Sequence, residues 1–280
     1  MRLRPINAWI LILLSLGLFL ASVMASIAAA AVPKSVEVIG TAFRVTFPDG
    51  QTVSGKSLMG ATLSLRLAGS PGLQRIRLTD IVDDPSDPDL LLYSMSVVPP
   101  SGAPTDLCDP DAQGERWAFP LKGQWDANGR RVGARGLTLA CAAGGAIGKC
   151  VKWGYAPWRR TAAGIALAPY HAACVAMVRA NYCGDRGTTR DGMAIDFFDT
   201  VGINRRDDAG AARAGLTFEA AWGPRGAICV AHPRVPENVD LRALERRCPW
   251  LRGKLGSTNC VENSAVNGQY GAALILNRSR

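Results

Sequence analysis

Apolar and polar positions alternate through much of residues 34–106. Val36 and Val38, then Phe43, Val45 and Phe47, recur two apart, which is the period of half-buried strands. Pro48-Asp49-Gly50 stands between Phe47 and Thr52-Val53 and predicts a hairpin turn. Leu63, Leu65 and Leu67 alternate within residues 61–67, and residues 75–78 repeat the pattern. A further strand over 90–98 is closed by Pro99-Pro100-Ser101-Gly102. These short strands predict a small β-sandwich or barrel-like part over 34–106, with almost no helix signal. Asp83-Asp84-Pro85-Ser86-Asp87-Pro88 breaks the alternation, and with Asp80 and Asp89 it forms an acidic loop. The loop lacks the glycine and glutamate spacing of a calcium loop, so it is read as solvated.

Residues 107–280 mix two periods. Trp117 to Leu121 leads into Gln124-Trp125-Asp126-Ala127-Asn128-Gly129, and Asn-Gly between apolar runs predicts a hairpin. The next strand is placed at 137–141. Gly144-Gly145 then allows a tight turn, and a strand is expected over 149–155. A central helix follows. Pro169 suits its first turn, and Tyr170, Cys174, Met177 and Val178 share one face. Gly184 is expected to cap it in the left-handed region. Strands are expected over 194–199, 218–222, 228–230 and 272–276. Residues 207–214 are read as a loop or short surface helix. Residues 240–248 predict a short amphipathic helix, with Leu241, Leu244 and Cys248 opposite Arg242 and Arg246, limited by Pro249. The fold class is α+β, predominantly β. The N-terminal part precedes a disulfide-stapled β-rich domain with one central helix and one short C-terminal helix.

The N-terminus reads as a targeting segment over residues 1–31. Arg2 and Arg4 precede an uncharged stretch with a dense apolar run over 10–20, and Ala28 to Ala31 offers A-x-A cleavage frames. Export to a periplasmic or extracellular location is therefore expected, without stable membrane insertion after cleavage. The alternative is an inner-membrane anchor through an uncleaved signal, for which the stretch is long enough. No cysteine precedes Cys108, which excludes a lipid-attachment cysteine.

Eight cysteines remain beyond that segment: Cys108, Cys141, Cys150, Cys174, Cys183, Cys229, Cys248 and Cys260. An even number in an oxidising compartment predicts four disulfides, with connectivity open. If the central helix runs through Cys183, then Cys174 and Cys183 lie roughly 13 Å apart on opposite faces. A disulfide requires Cα atoms within about 7 Å, so each needs a separate partner. No C-x-x-C occurs, so thioredoxin-type redox chemistry and zinc knuckles are not indicated. The formal net charge of +9 falls by two when Arg2 and Arg4 are removed. The basic residues come as scattered pairs, Arg130-Arg131, Arg159-Arg160, Arg205-Arg206 and Arg246-Arg247, without the one-sided clustering of nucleic-acid binders. A positive surface does suit anionic envelope polymers.

Four blocks in order carry a family resemblance: GAIGKCVKWGYAPW (145–158), YHAACVAMVRANYCGD (170–185), TRDGMAIDFFD (189–199) and FEAAWGPRGAICVAH (218–232). The stretch from about Cys141 to Arg234 resembles the ADYC domain, a family of predicted exported bacterial proteins with no established activity. The resemblance implies the fold unit and the location and adds no mechanism. Residues 34–106 lie outside its best-matching part. Ala180-Asn181-Tyr182-Cys183 carries Asn where the family usually has Asp, and Thr188 stands where a histidine is often found.

For catalysis the first candidates are His171 with Asp185 and Asp191, and Asp196 beside them. His171 falls in the first helical turn, where the helix dipole disfavours imidazolium and suits a neutral general base. Packing and turn satisfaction are the competing role for these residues. Asp185, Asp191, Asp196 and Asp199 form an oxygen-rich set of calcium type, with a spacing that matches no known loop. Trp153, Tyr155, Trp158, Tyr170 and Tyr182 are read as core between disulfides, or else as the lining of a ligand groove. His232, before Pro233, is expected as an exposed turn residue. No G-x-S-x-G, H-E-x-x-H or phosphate-binding glycine loop is present, and no cofactor is expected. The main reading is a non-catalytic binding or structural module with an envelope or extracellular ligand and no nucleic acid. A hydrolase-like enzyme using His171 with an Asp, and a calcium-stabilised module, are the alternatives.

Overall fold

A computed structural model describes residues 32–67, 70 and 72–280. The targeting segment inferred over 1–31 lies outside the described residues. Three strands, β1 (Ser35–Ile39), β2 (Ala42–Thr46) and β3 (Thr52–Ser54), form an antiparallel sheet, with the Pro-Asp-Gly turn between the last two. A second antiparallel sheet contains β4 (Thr62–Arg66), β5 (Leu73–Asp84), β6 (Asp87–Val98), β7 (Thr105–Asp106), β8 (Trp117–Trp125) and β9 (Arg131–Cys141). Its order is β4-β5-β6-β8-β9, with β7 beside β6. Inward residues of both sheets meet in one core that includes Phe43, Val45, Ile76, Leu78, Tyr93, Phe119 and Leu121. Sequence alternation thus produces a sandwich-like pair of sheets. The compositional change at residues 106 and 107 falls between β7 and β8, two strands of this second sheet.

The remaining elements are α1 (Ala146–Lys152), α2 (Ala168–Val178), β10 (Asp196–Asp199), α3 (Asp208–Arg213), β11 (Thr217–Gly223), β12 (Gly226–Val230), α4 (Leu241–Arg247), α5 (Glu262–Val266) and β13 (Ile275–Ser279). A third antiparallel sheet has the order β10-β13-β11-β12. Helix α2 packs on it through Cys174, Met177, Trp222 and Ile275. The β-rich class holds, with the central helix and a short helix near the C-terminus, and α1, α3 and α5 are additional short helices.

Several local expectations are corrected. Residues 149–155 are no strand. Ile147, Cys150 and Val151 recur at helical spacing, and α1 forms over the preceding turn. The helix α2 ends at Val178, so Cys183 lies beyond it and Gly184 is not its cap. The last strand starts at Ile275, three residues later than expected. The acidic stretch is solvated only in part: Asp80, Asp83 and Asp89 are exposed, but Asp84 is buried and Asp87 half-buried. It is the β5–β6 turn, where buried Asp84 accepts from Lys152 and from the Ser86 N–H (2.9 Å). Asp87 pairs with Arg159, and Asp83 with Lys56. Burial raises the Asp84 pKa, but the bonds from Lys152 and Ser86 outweigh it and hold the carboxyl below its usual value.

Four disulfides join Cys108 to Cys141, Cys150 to Cys174, Cys183 to Cys248 and Cys229 to Cys260. Cys174 and Cys183 have separate partners, as expected. The second bond holds α1 to α2, and the third holds the segment after α2 to the end of α4. None of the described residues forms a helix long and apolar enough to cross a membrane.

Candidate functional site

Residues 180–183 form the stop of α2. The Asn181 N–H donates to the Ala176 carbonyl (2.8 Å) and the Ala180 N–H to the Met177 carbonyl (3.0 Å). This is a Schellman closure whose left-handed residue is Ala180, at φ 47°. Glycine is usual there, because a Cβ costs roughly 1–2 kcal/mol in this region. Surrounding bonds hold the turn. The Thr188 hydroxyl donates to the Ala180 carbonyl (2.7 Å), and the Arg186 N–H donates to Asn181 Oδ1 (3.0 Å). Position 181 therefore needs an acceptor oxygen, which Asn supplies as Asp would. Position 188 needs a donor. Asn181 and Thr188, the two departures from the family pattern, each make a bond that holds this turn.

Tyr182 leads into a buried polar network. Its hydroxyl donates to Glu219 Oε1 (2.8 Å) and accepts from the Arg234 N–H (2.8 Å). Arg234 Nε meets Glu219 Oε2 at 2.9 Å, with both side chains buried. The Arg234 guanidinium also donates to the carbonyls of Met177 (2.8 Å) and Val178 (3.1 Å). It thus neutralises the negative end of α2. Asn277 donates to Glu219 (2.7 Å) and accepts from the Trp222 indole (2.7 Å). Glu219 reaches this site from a bulge in β11, between Phe218 and Ala220. Burial and then the Glu219 charge push the Tyr182 hydroxyl pKa well up. The network is closed on all sides and serves packing.

The β11–β12 turn docks on the helix stop. The Ala227 N–H donates to the Tyr182 carbonyl (2.8 Å). A Cβ on Gly226 would lie 2.6 Å from that carbonyl oxygen, and one on Gly184 would lie 2.4 Å from the Arg225 carbonyl oxygen. Only glycine allows both approaches.

The sequence candidates separate. His171 is 2% exposed, and its Nε2–H donates to the Ile147 carbonyl at 3.1 Å. Its ring meets Trp125 edge-on. Burial pushes its pKa down to about 4, against a bond to Ile147 that raises it. Asp185 forms an ion pair with Arg247 at 2.6 Å, and Asp191 is exposed. Among the described residues no hydrogen bond or ion pair joins His171 to either. Asp199 accepts from the buried Tyr155 hydroxyl (2.8 Å) and from the N–H groups of Val201, Ile203 and Asn204. Asp196 lies beside Arg278 at 3.4 Å. No three His, Cys, Asp or Glu of the described residues gather as metal ligands. Tyr155, Tyr170 and Tyr182 are core, Trp153 is half-buried against Phe197, and Trp158 is exposed. His232 is half-buried beside Thr217, not an exposed turn residue.

His171 makes stability pH-dependent. Its folded pKa lies below the unfolded value, so the unfolded chain takes up more protons between about pH 6.5 and pH 4. Its contribution is fully present above about pH 6.5 and is lost as pH falls toward 4. Urea unfolding should show about 2 to 3 kcal/mol lost from this group between pH 7 and pH 4.5. His171→Leu should flatten that slope; an unchanged slope would rule out this origin.

A different region has the geometry of a site. A cavity of about 710 Å³ is lined by Arg130, Arg225, Trp250, Lys254 and Tyr270, with the glycine-rich turn beneath. A smaller one of about 240 Å³ adjoins it, shares Arg130 and Arg225, and adds Arg131 and Asn181. No Asp or Glu lines either cavity. Arg131 is held over the Trp125 ring, and Arg130 reaches Asp126 at 3.3 Å in an exposed pair. Arg225 has no side-chain partner among the described residues. In sequence Arg225 falls between the strands expected over 218–222 and 228–230, and Trp250 follows Pro249, with nothing to mark either as a site residue. Trp250 reaches the β11–β12 turn through its bond to Ala227, and the β8–β9 hairpin tip brings Arg130 to the same cavity.

A family model of the ADYC domain matches residues 55–236, so the match extends well into the β-rich N-terminal part that the resemblance left out. No curated protein matches the chain, and no solved structure does. The matched span covers more than half of the chain and contains the helix stop, the Tyr182, Glu219 and Arg234 members of the buried network, and the turn beneath the groove. The chain belongs to the ADYC domain family.

Proposed function

We propose that the protein is an exported, non-catalytic binding module of the cell envelope or exterior that holds an anionic ligand in this basic groove. The observation that carries the reading is that adjoining cavities lined by Arg130, Arg131, Arg225 and Lys254 have no Asp or Glu in their lining. Arg159, Arg206 and Arg247 close on carboxylates, whereas Arg225 and Arg131 meet none among the described residues. Cations left without counter-charges in a concave site favour an anionic partner. The disulfides support export, since such bonds persist in oxidising compartments. His171, buried against a carbonyl, supports the non-catalytic part.

Salt elution from immobilised dextran sulfate tests the groove. The variant Arg131→Ala/Arg225→Ala should elute at clearly lower salt than the parent, with an unchanged melting temperature. Arg44→Ala/Arg75→Ala makes the same charge change at exposed sites on β2 and β5 and should elute near the parent. Equal shifts for both variants would assign retention to net charge and defeat the proposal.

A further inference from the structure

We propose, resting on the groove reading above, that the ligand is an acidic saccharide: a sugar whose carboxylate sits on Arg225 and whose ring lies on Trp250. Trp250 is the informative residue. It is 50% exposed, yet its indole N–H donates to the Ala227 carbonyl at 3.3 Å, so the ring is held at one edge with apolar surface open to the larger cavity. A half-exposed aromatic with a fixed polar edge suits a partner that is apolar on one face and polar at its rim. Sugar rings have that character through their C–H faces and hydroxyls.

The charged groups supply the rest of the match. The Arg225 guanidinium is a planar fork that binds carboxylates in bidentate fashion. Lys254 Nζ donates to the Tyr270 carbonyl at 3.0 Å and keeps further N–H donors for hydroxyls or a second carboxylate. A volume of about 710 Å³ lies within the range of roughly 300–1,000 Å³ typical of small-ligand sites. A single-stranded nucleic acid needs a cationic track with successive aromatic platforms. Here the cations converge on one pair of adjoining cavities with one exposed indole.

Isothermal titration calorimetry with trigalacturonic acid, maltotriose and tripolyphosphate tests the assignment. Trigalacturonic acid should bind and maltotriose should not. Arg225→Ala and Trp250→Ala should each weaken binding about tenfold or more, while Trp250→Phe should retain most of it. If Trp250→Ala melts early, quenching of tryptophan fluorescence in the parent, lost in Trp250→Phe, reports the same contact. Tripolyphosphate binding that depends on Arg225 but not on Trp250, without trigalacturonate binding, would overturn the saccharide and leave the groove intact. No binding of either anion by folded protein would overturn both.

Discussion

Arg234→Met is expected to lower the unfolding free energy by about 3 to 5 kcal/mol and the melting temperature by roughly 10 °C. The side chain is 3% exposed and its partner Glu219 is fully buried. Removing the guanidinium leaves a carboxylate without counter-charge in a low-dielectric interior, and it strips donors from the carbonyls of Met177 and Val178 at the end of α2. The methionine keeps much of the volume, so a cavity is not the cause. Thermal and urea unfolding measure the loss. Arg234→Met/Glu219→Leu, which removes both charges, should cost less than the two single variants summed. A single-variant loss below about 1 kcal/mol would show that the network does not hold the helix stop.

Cys183→Ser/Cys248→Ser should cost about 4 kcal/mol, seen as a melting temperature lower by roughly 10 °C. The bond closes a loop with a sequence separation of 65, the longest of the four, and loop entropy in the unfolded chain grows with that length. Cys150→Ser/Cys174→Ser, with a separation of 24, should cost about 3 kcal/mol. The reverse order would assign the stability to local packing instead. The first variant also loosens the groove, because Cys183 lines it and Trp250 follows Cys248 closely.

Much of this architecture was legible in local pattern. Alternation at Val36–Val38, Phe43–Phe47 and Leu63–Leu67 needs only a half-buried sheet to become a strand. The Asn128-Gly129 turn closes through its own residues, with the Asp126 side-chain Oδ1 accepting from the N–H groups of Asn128 and Arg130. The helix at 240–248 has its cap in sequence, since Asp240 accepts from the Ala243 N–H at 2.6 Å. Where partners are distant, pattern misled. Five aspartates from Asp80 to Asp89 look alike in sequence, but Asp84 is buried against Lys152 and Asp87 is paired with Arg159, both from another part of the chain, while Asp80, Asp83 and Asp89 stay exposed. Gly184 looks like the natural stop of α2, but the helix closes earlier at Ala180, a position that Arg234, Thr188 and Asn181 together make tenable. One clue to the buried network was present: Glu219 is a lone charge in the apolar run Phe218 to Trp222, and such a charge requires a buried partner.

By itself the sequence determined the β-rich class, the cysteine pairing as a complete set, and the family; the separate partners of Cys174 and Cys183 hold, but the helix that was to keep them apart ends at Val178. The class, the complete pairing and the family follow from periodicity, parity or contiguous motifs, which are local properties of the chain. The tertiary structure alone decided which cysteines pair, which charges are neutralised, and where an open site remains. Those outcomes depend on which distant segments meet. Asp185 looked available until Arg247 closed on it, and His171 until the carbonyl of Ile147 enclosed it. Arg225 lay unnoticed in a turn until the β8–β9 hairpin and Trp250 surrounded it with a cavity.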